Sequence, residues 1–470
     1  MWCDMRSWRW DRWAAAAAIA CSGAAAACGS TTSTGERSVQ PVATVAPEVG
    51  ASAGAAGDPA PALDGGADLP VEPLSVVTDS PLEREIRQML ARIATARQLP
   101  VKQPVTGRRL SRAQVIKLIE AKAERDIPKA ALEAQGDLLR AFELIAPSYD
   151  FVGGIYELIE NNVAGLYDDD TNEMVLLDDL DAFVAEQTLA HELVHALQDQ
   201  HYDLDKLLKY QAGQSDRVTA QHALAEGDAT SAMLEATEGS AFLMTTDALR
   251  FMMVASVALS PTGAQTPRVL QAALVAPYLD GFSFVQELRR RGGWAEVDRA
   301  WRRLPTSTEQ LLHVDKYVQA EPPIVVPPPP LPATGWRTYD ADVLGEQGLR
   351  LVLEQWTHRK SAAAAAAGWG GDTYLVAHRA TGTGTEIAVA WHIRFDTSRD
   401  AREAAEVFRK RFGAGCRARK LLGSLAWMRR GDGIAMVAGP YQRGPQGQLS
   451  ELPTSCGSAV RWLAKVLKTR

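Results

Sequence analysis

"HELVHALQDQH", His191 to His201, packs three of the chain's eight histidines into eleven residues. His191 and His195 stand four apart, so a helix carries both imidazoles on one face, one turn apart. Glu192 lies beside them. This is the H-E-x-x-H pattern, two imidazole ligands for Zn²⁺ with a glutamate as general base. The residue types follow from the chemistry. Neutral imidazoles hold the metal while leaving a coordination position open. The metal acidifies water to a pKa near 7 and polarises a carbonyl, and a carboxylate beside it carries the proton. The surrounding "FVAEQTLAHELVHALQDQ", 183–200, is amphipathic and predicts a helix.

A third ligand has to come from elsewhere. His201 has the spacing of the metzincin pattern H-E-x-x-H-x-x-G-x-x-H, whose glycine turns the chain back towards the metal. Here that position is Gln198, which favours a continuing helix. In a straight helix a residue ten positions on lies about 15 Å along the axis, out of reach. The better candidate is Glu226 in "QHALAEGDATSAMLEA", 221–236, on a second helix beginning near Val218. His222 shares its face and is the next candidate ligand. Asp228 is placed to orient a metal-bound histidine from behind.

Outward from the motif, "AGLYD" (164–168) and "EMVLLDD" (173–179) are short apolar runs around a turn-forming "DDTN", which predicts a strand pair. An exposed edge of that pair, around Leu166 and Tyr167 or along Met174–Leu177, could bind an extended peptide by main-chain pairing. Upstream, "PLEREIRQMLARIATARQL" (81–99) and the stretch 109–145 read as helices, the latter interrupted at Pro128. "FMMVASVAL" (251–259) is too short to span a bilayer and reads as a buried helix. "EPPIVVPPPPLP" (321–332) favours extended polyproline II and marks a boundary. Beyond it, "TEIAVAWHIRFD" reads as a strand and "SRDAREAAEVFRKRF" as a helix. The expected fold class is α+β: a mainly helical metallopeptidase-like domain with a small sheet over 80–320, a proline-rich linker at 321–334, and a smaller α+β region over 335–470.

"HELVHALQDQHYDL" followed by "AEGDAT" resembles the gluzincin side of the zincin metallopeptidases, and more closely a group of exported, largely uncharacterised prokaryotic zinc-peptidase-like proteins. The resemblance extends to "PYLDGFSFVQELRRRGGW", "PTSTEQLLHVDKY" and, more weakly, "GLRLVLEQW" and "GWGGDTYLV". It implies one Zn²⁺ held by His191, His195 and Glu226, with Glu192 as catalytic base and a peptide or protein as substrate. Aminopeptidase signatures such as G-x-M-E-N are absent, which points to an endopeptidase. For the oxyanion of a tetrahedral intermediate, zincins commonly use a tyrosine or histidine from a later segment, and His313 and Tyr317 are the candidates. The glycines of "GWGGD" (368–372) read as structural, as do His358, His378 and His392.

The N-terminus reads as an export signal. "MWCDMRSWRWDRW" carries three arginines against two aspartates, and "AAAAAIACSGAAAAC" follows. "AAAC", ending at Cys28, resembles a bacterial lipobox, with Cys21 as a second candidate for lipidation. Residues 29–79, rich in Ser, Thr, Gly, Ala and Pro, read as a disordered tether. Two of the five cysteines, Cys416 and Cys456, lie beyond the leader and tether, and in an exported chain they suggest one disulfide. A net charge of −7 with 23% charged residues gives no basic footprint for nucleic acid. The expectation is therefore an exported, lipid-anchored zinc peptidase at the cell envelope. Its rivals are an envelope binding or scaffold lipoprotein with a structural zinc, and an amidase acting on cell-wall peptides.

Overall fold

A computed structural model of the chain describes residues 80–126, 128–208, 211–382, 384–415, 425–452 and 456–468. The export signal with Cys21 and Cys28, the tether and Cys416 lie outside the described residues. Cys456 is disulfide-bonded. The chain is α+β.

In chain order the elements are α1 (Pro81–Arg97), β1 (Thr106–Leu110), α2 (Arg112–Asp126), α3 (Lys129–Ala141), α4 (Phe151–Asn162), β2 (Gly165–Asp168) and β3 (Glu173–Leu177). The motif helix α5 (Ala182–Tyr202) follows, then α6 (Leu204–Leu207), α7 (Ser215–Glu238), α8 (Thr246–Leu259), α9 (Arg268–Gly292), α10 (Trp294–Arg302), α11 (Thr308–Leu312) and α12 (Val314–Gln319). The last third holds β4 (Arg337–Asp342), α13 (Gly345–Glu354), α14 (Arg359–Ala366), β5 (Trp369–Thr381), β6 (Gly384–Phe395), α15 (Ser398–Phe412), β7 (Ala426–Arg430), β8 (Gly433–Arg443), β9 (Leu449–Glu451) and α16 (Cys456–Val466).

The small sheet has the order β1-β3-β2, with β1 parallel and β2 antiparallel to β3. The expected strand pair is therefore present, joined by a third strand that carries no apolar alternation. Of the two candidate edges, β2 is the outer strand and β3 the central one. The sheet lies against α5, which also packs against α7.

The second sheet runs β4-β5-β6-β8-β7, with β9 on β8. Its strands bury both faces by simple alternation. Tyr374, Val376, Ile387, Val389 and Trp391 join the main core, while Leu375, Ala377, Ala388 and Ala390 pack beneath Trp462 and Leu463 of α16. Asp372, in "GWGGD", accepts from the indole N–H groups of Trp369 and Trp391 and from the backbone of Leu344 and Gly345. That motif is structural, as read.

The described residues from Pro81 onward fall in one compact unit. The proline-rich segment is extended, but it is stitched to the second sheet and to α16: Ile324 donates its N–H to the Gly370 carbonyl of β5, and Trp462 of α16 donates its indole N–H to the Pro330 carbonyl. The segment 251–259 is helical but not buried. Leu249, Met253 and Val257 of α8 face the core, whereas Phe251 is 70% exposed and Leu259 85%. An apolar stretch can form a helix without a neighbour for every face, and composition alone does not reveal which face stays bare.

Candidate metal centre

α5 is started by Asp181, whose carboxylate accepts the Val184 N–H, and stopped at Asp203, which adopts the left-handed conformation at φ 58°. Between them the helix is uninterrupted, so His191 and His195 lie one turn apart. Their Nε2 atoms are 3.1 Å from each other. α7 brings Glu226 to the same point, with Oε2 3.1 Å from His191 Nε2 and 3.6 Å from His195 Nε2.

These three atoms form a triangle of donors. Ligands about 2.0–2.1 Å from a tetrahedral Zn²⁺ stand roughly 3.3–3.4 Å apart, and the three edges here bracket that value. Among the described residues, no further His, Cys, Asp or Glu joins this group. The residues present fit a zinc ion in number, type and spacing.

His222 sits one turn before Glu226 on α7. Its Nε2 is 3.0 Å from Oε1, the carboxylate oxygen that is not in the triangle. His222 therefore holds Glu226 in orientation and is not a fourth ligand. Glu192 is next to the triangle, and its Oε2 accepts the backbone N–H of Tyr167 on β2 at 3.0 Å. Edge-strand pairing with a peptide at Tyr167 would compete with Glu192 for that donor.

The electrostatics match a cation site. Burial favours a neutral Glu226, but the charge of His195 and hydrogen bonds from His191, His195 and His222 outweigh it and hold the carboxylate well below its usual range. Burial likewise drives His195 towards neutrality, and the Glu226 charge reverses this, lifting it to about 9. Glu192 is pushed up by burial, with only partial relief from the two histidines. Glu226 thus draws a positive charge to the Nε2 edge of His195, where a proton and a metal cation compete for the same lone pair.

His201 is not part of the centre. Its Nε2 lies 2.8 Å from the Pro100 carbonyl, on the outside of the helix. Asp228 reaches no histidine directly. It accepts from Arg97 Nε at 2.6 Å, Trp301 Nε1 at 2.8 Å and Gln198 Nε2 at 3.2 Å. Gln198 Oε1 in turn is 2.8 Å from His195 Nδ1. Asp228, expected to orient a histidine directly, is thus one residue removed from it, with Gln198 in between.

The structure also does not bring His313 and Tyr317 to the triangle. His313 Nε2 is bound to Glu346 at 2.8 Å, and the Tyr317 hydroxyl donates to the Arg303 carbonyl. Both are anchored where α11 and α12 pack beside α9 and α13, and the hydroxyl is spent there. The ring of Tyr278 on α9 also lies beside the site, its centroid 5.9 Å from that of His191.

The placement of Glu226 depends on two glycines that the sequence does not single out. Gly227 and Gly281 lie where α7 and α9 cross. A Cβ on Gly227 would stand 2.0 Å from the backbone carbon of Gly281, and one on Gly281 would stand 1.8 Å from the Ala223 carbonyl oxygen. Backbone touches backbone here, one residue from the ligand.

Residues 334–443 match the family model described as a domain of unknown function (DUF8575). That stretch runs from just before β4 to the end of β8 and contains no member of the cluster. No curated protein and no solved structure matches the chain.

Proposed function

We propose that the protein is a zinc-dependent peptidase, an endopeptidase of the gluzincin kind, with His191, His195 and Glu226 as ligands and Glu192 as general base. The observation that carries this reading is the triangle of three donors with Glu192 beside it and His222 turned to the outer oxygen of Glu226. Three protein ligands is the number found in catalytic zinc sites, and four in structural ones.

A Zn²⁺ bound there supplies a Lewis acid and a water acidified to near-neutral pKa. The chain does the rest. Glu192, whose carboxyl burial raises against the opposing pull of the two histidines, accepts a proton at its carboxylate and returns it to the leaving amine nitrogen. The Tyr167 N–H holds that carboxylate towards the small sheet. The substrate is a peptide or protein. Action outside the cytoplasm and a lipid anchor at Cys28 belong to the same proposal and rest on the leader sequence alone.

The depth of the site favours a second reading. His191, Glu192 and Glu226 are each 3% exposed or less, as suits a structural zinc in a scaffold lipoprotein. One experiment separates the two. Zinc stoichiometry and hydrolysis of an unfolded protein are measured for the full chain and for Glu192→Gln. The expected outcome is one zinc in both and a loss of ~10²–10⁴-fold in rate for the variant. A zinc-loaded wild type without hydrolysis favours the scaffold, and full activity in Glu192→Gln removes Glu192 as base.

A further inference from the structure

We infer that Gln198 is a positioning residue that presents the Nε2 lone pair of His195 to the metal, and that it does so because its amide can point only one way. The inference rests on the metal-site reading above and concerns a residue without any assigned role.

A glutamine amide can be placed with its oxygen and nitrogen exchanged, and its surroundings decide which is right. At one end of Gln198 stand two acceptors, the Ala225 carbonyl at 3.0 Å and Asp228 Oδ2 at 3.2 Å. The carbonyl has no hydrogen to give, and Asp228 is already the acceptor for Arg97 and Trp301. The NH₂ group must face them. Oε1 then faces His195 Nδ1 at 2.8 Å and can only accept. Nδ1 must carry the hydrogen, which leaves Nε2, the atom in the donor triangle, as the nitrogen whose lone pair faces the metal position.

The support behind the amide is rigid and buried. Arg97 and Asp228 are both fully excluded from solvent, and Gln198 itself is 0% exposed. Arg97 is tied further to Asp298, which also accepts from Tyr202, and Tyr202 stacks on Trp301 at 4.5 Å. The chain thus runs from α1 and α10, through Asp228 on α7, to α5. It transmits orientation but little charge, because the Asp228 carboxylate is spent on Arg97 and only a neutral amide touches the imidazole. The position at which the metzincin pattern has a glycine is therefore filled by a residue that both continues the helix and fixes the second ligand.

The test uses the full chain as wild type, Gln198→Met and Gln198→Glu. Zinc affinity is read by chelator competition, and the His195 Nδ1–H by ¹⁵N NMR of the metal-free protein labelled on histidine. Gln198→Met keeps the volume and removes the acceptor. It is expected to lose ~10–100-fold in zinc affinity and to lose the slowly exchanging Nδ1–H resonance seen in wild type. Gln198→Glu restores an acceptor and is expected to retain that resonance. Gln198→Met with wild-type affinity and an unchanged resonance overturns the inference, as does a wild type that never shows the resonance. If Gln198→Met fails to fold, loss of the resonance in Gln198→Glu overturns it instead. A wild type that binds no zinc refutes the metal-site reading, and the NMR result then judges Gln198 alone.

Discussion

Replacing Gly227 with alanine tests whether the α7–α9 crossing sets the position of Glu226. The added Cβ would lie 2.0 Å from the Gly281 carbonyl carbon, against an ordinary contact distance that begins at 3.4 Å. Relief requires the two backbones to separate by about 1.4 Å, the difference of those values. No flexible side chain is present to yield in their place. Overpacking of this kind costs ~1–3 kcal/mol, and the higher helix propensity of alanine returns ~1 kcal/mol, so the net destabilisation is ~0–2 kcal/mol. The larger effect falls on the metal. Ligand distances tolerate about 0.2 Å, and Glu226 is one residue away on the moving helix. Gly227→Ala is therefore expected to lower zinc affinity by at least ~10-fold in chelator competition, while the metal-free protein melts only a few degrees lower, at roughly 2 °C per kcal/mol. Gly281→Ala, whose Cβ meets the Ala223 carbonyl oxygen at 1.8 Å, should act in the same direction. A Gly227→Ala protein with wild-type affinity would refute both the rigidity of the crossing and Glu226 as a ligand.

Three other outcomes are expected. His201→Ala, which removes the bond to the Pro100 carbonyl and a ring contact with Tyr202, should leave zinc stoichiometry and affinity unchanged; loss of metal would favour the metzincin-like completion instead. Tyr317→Phe should cost ~1 kcal/mol for the hydrogen bond to Arg303 with no change in hydrolysis rate, whereas a 10²-fold rate loss at constant stability would return Tyr317 to the reaction. Asp216 is buried, which pushes its carboxyl up to about 7 against the hydrogen bonds from Thr308, with Asp372 and Glu346 adding to the rise. Its contribution to stability is present below pH ~4, the unfolded value, and is lost as pH rises through about 7. Asp216→Asn, which keeps an acceptor for Thr308, should flatten the fall in melting temperature between pH 5 and pH 8. An unchanged slope would contradict the raised value.

Local sequence determined a good part of this molecule. The four-residue spacing of His191 and His195 places two imidazoles together on any helix, and a capping aspartate at each end sets where that helix begins and stops. Gln198 in place of glycine keeps the helix straight, which is enough to carry His201 away. A second helix must pack on the first, and His222 and Glu226 share its inward face, so spacing alone kept both as candidates; packing put Glu226 Oε2 in the triangle and His222 on the other oxygen. Tertiary structure decided the remainder. β1, "TGRRL", has no strand pattern of its own and exists because β3 offers it a free edge. His313 and Tyr317 look poised for chemistry only until their partners, Glu346 and the Arg303 carbonyl, are brought beside them from distant segments. Gln198, Tyr167 and Gly227 act through an amide orientation, a backbone N–H and the absence of a side chain. None of these leaves a mark in residue spacing, because each acquires its meaning only when another element is packed within contact distance.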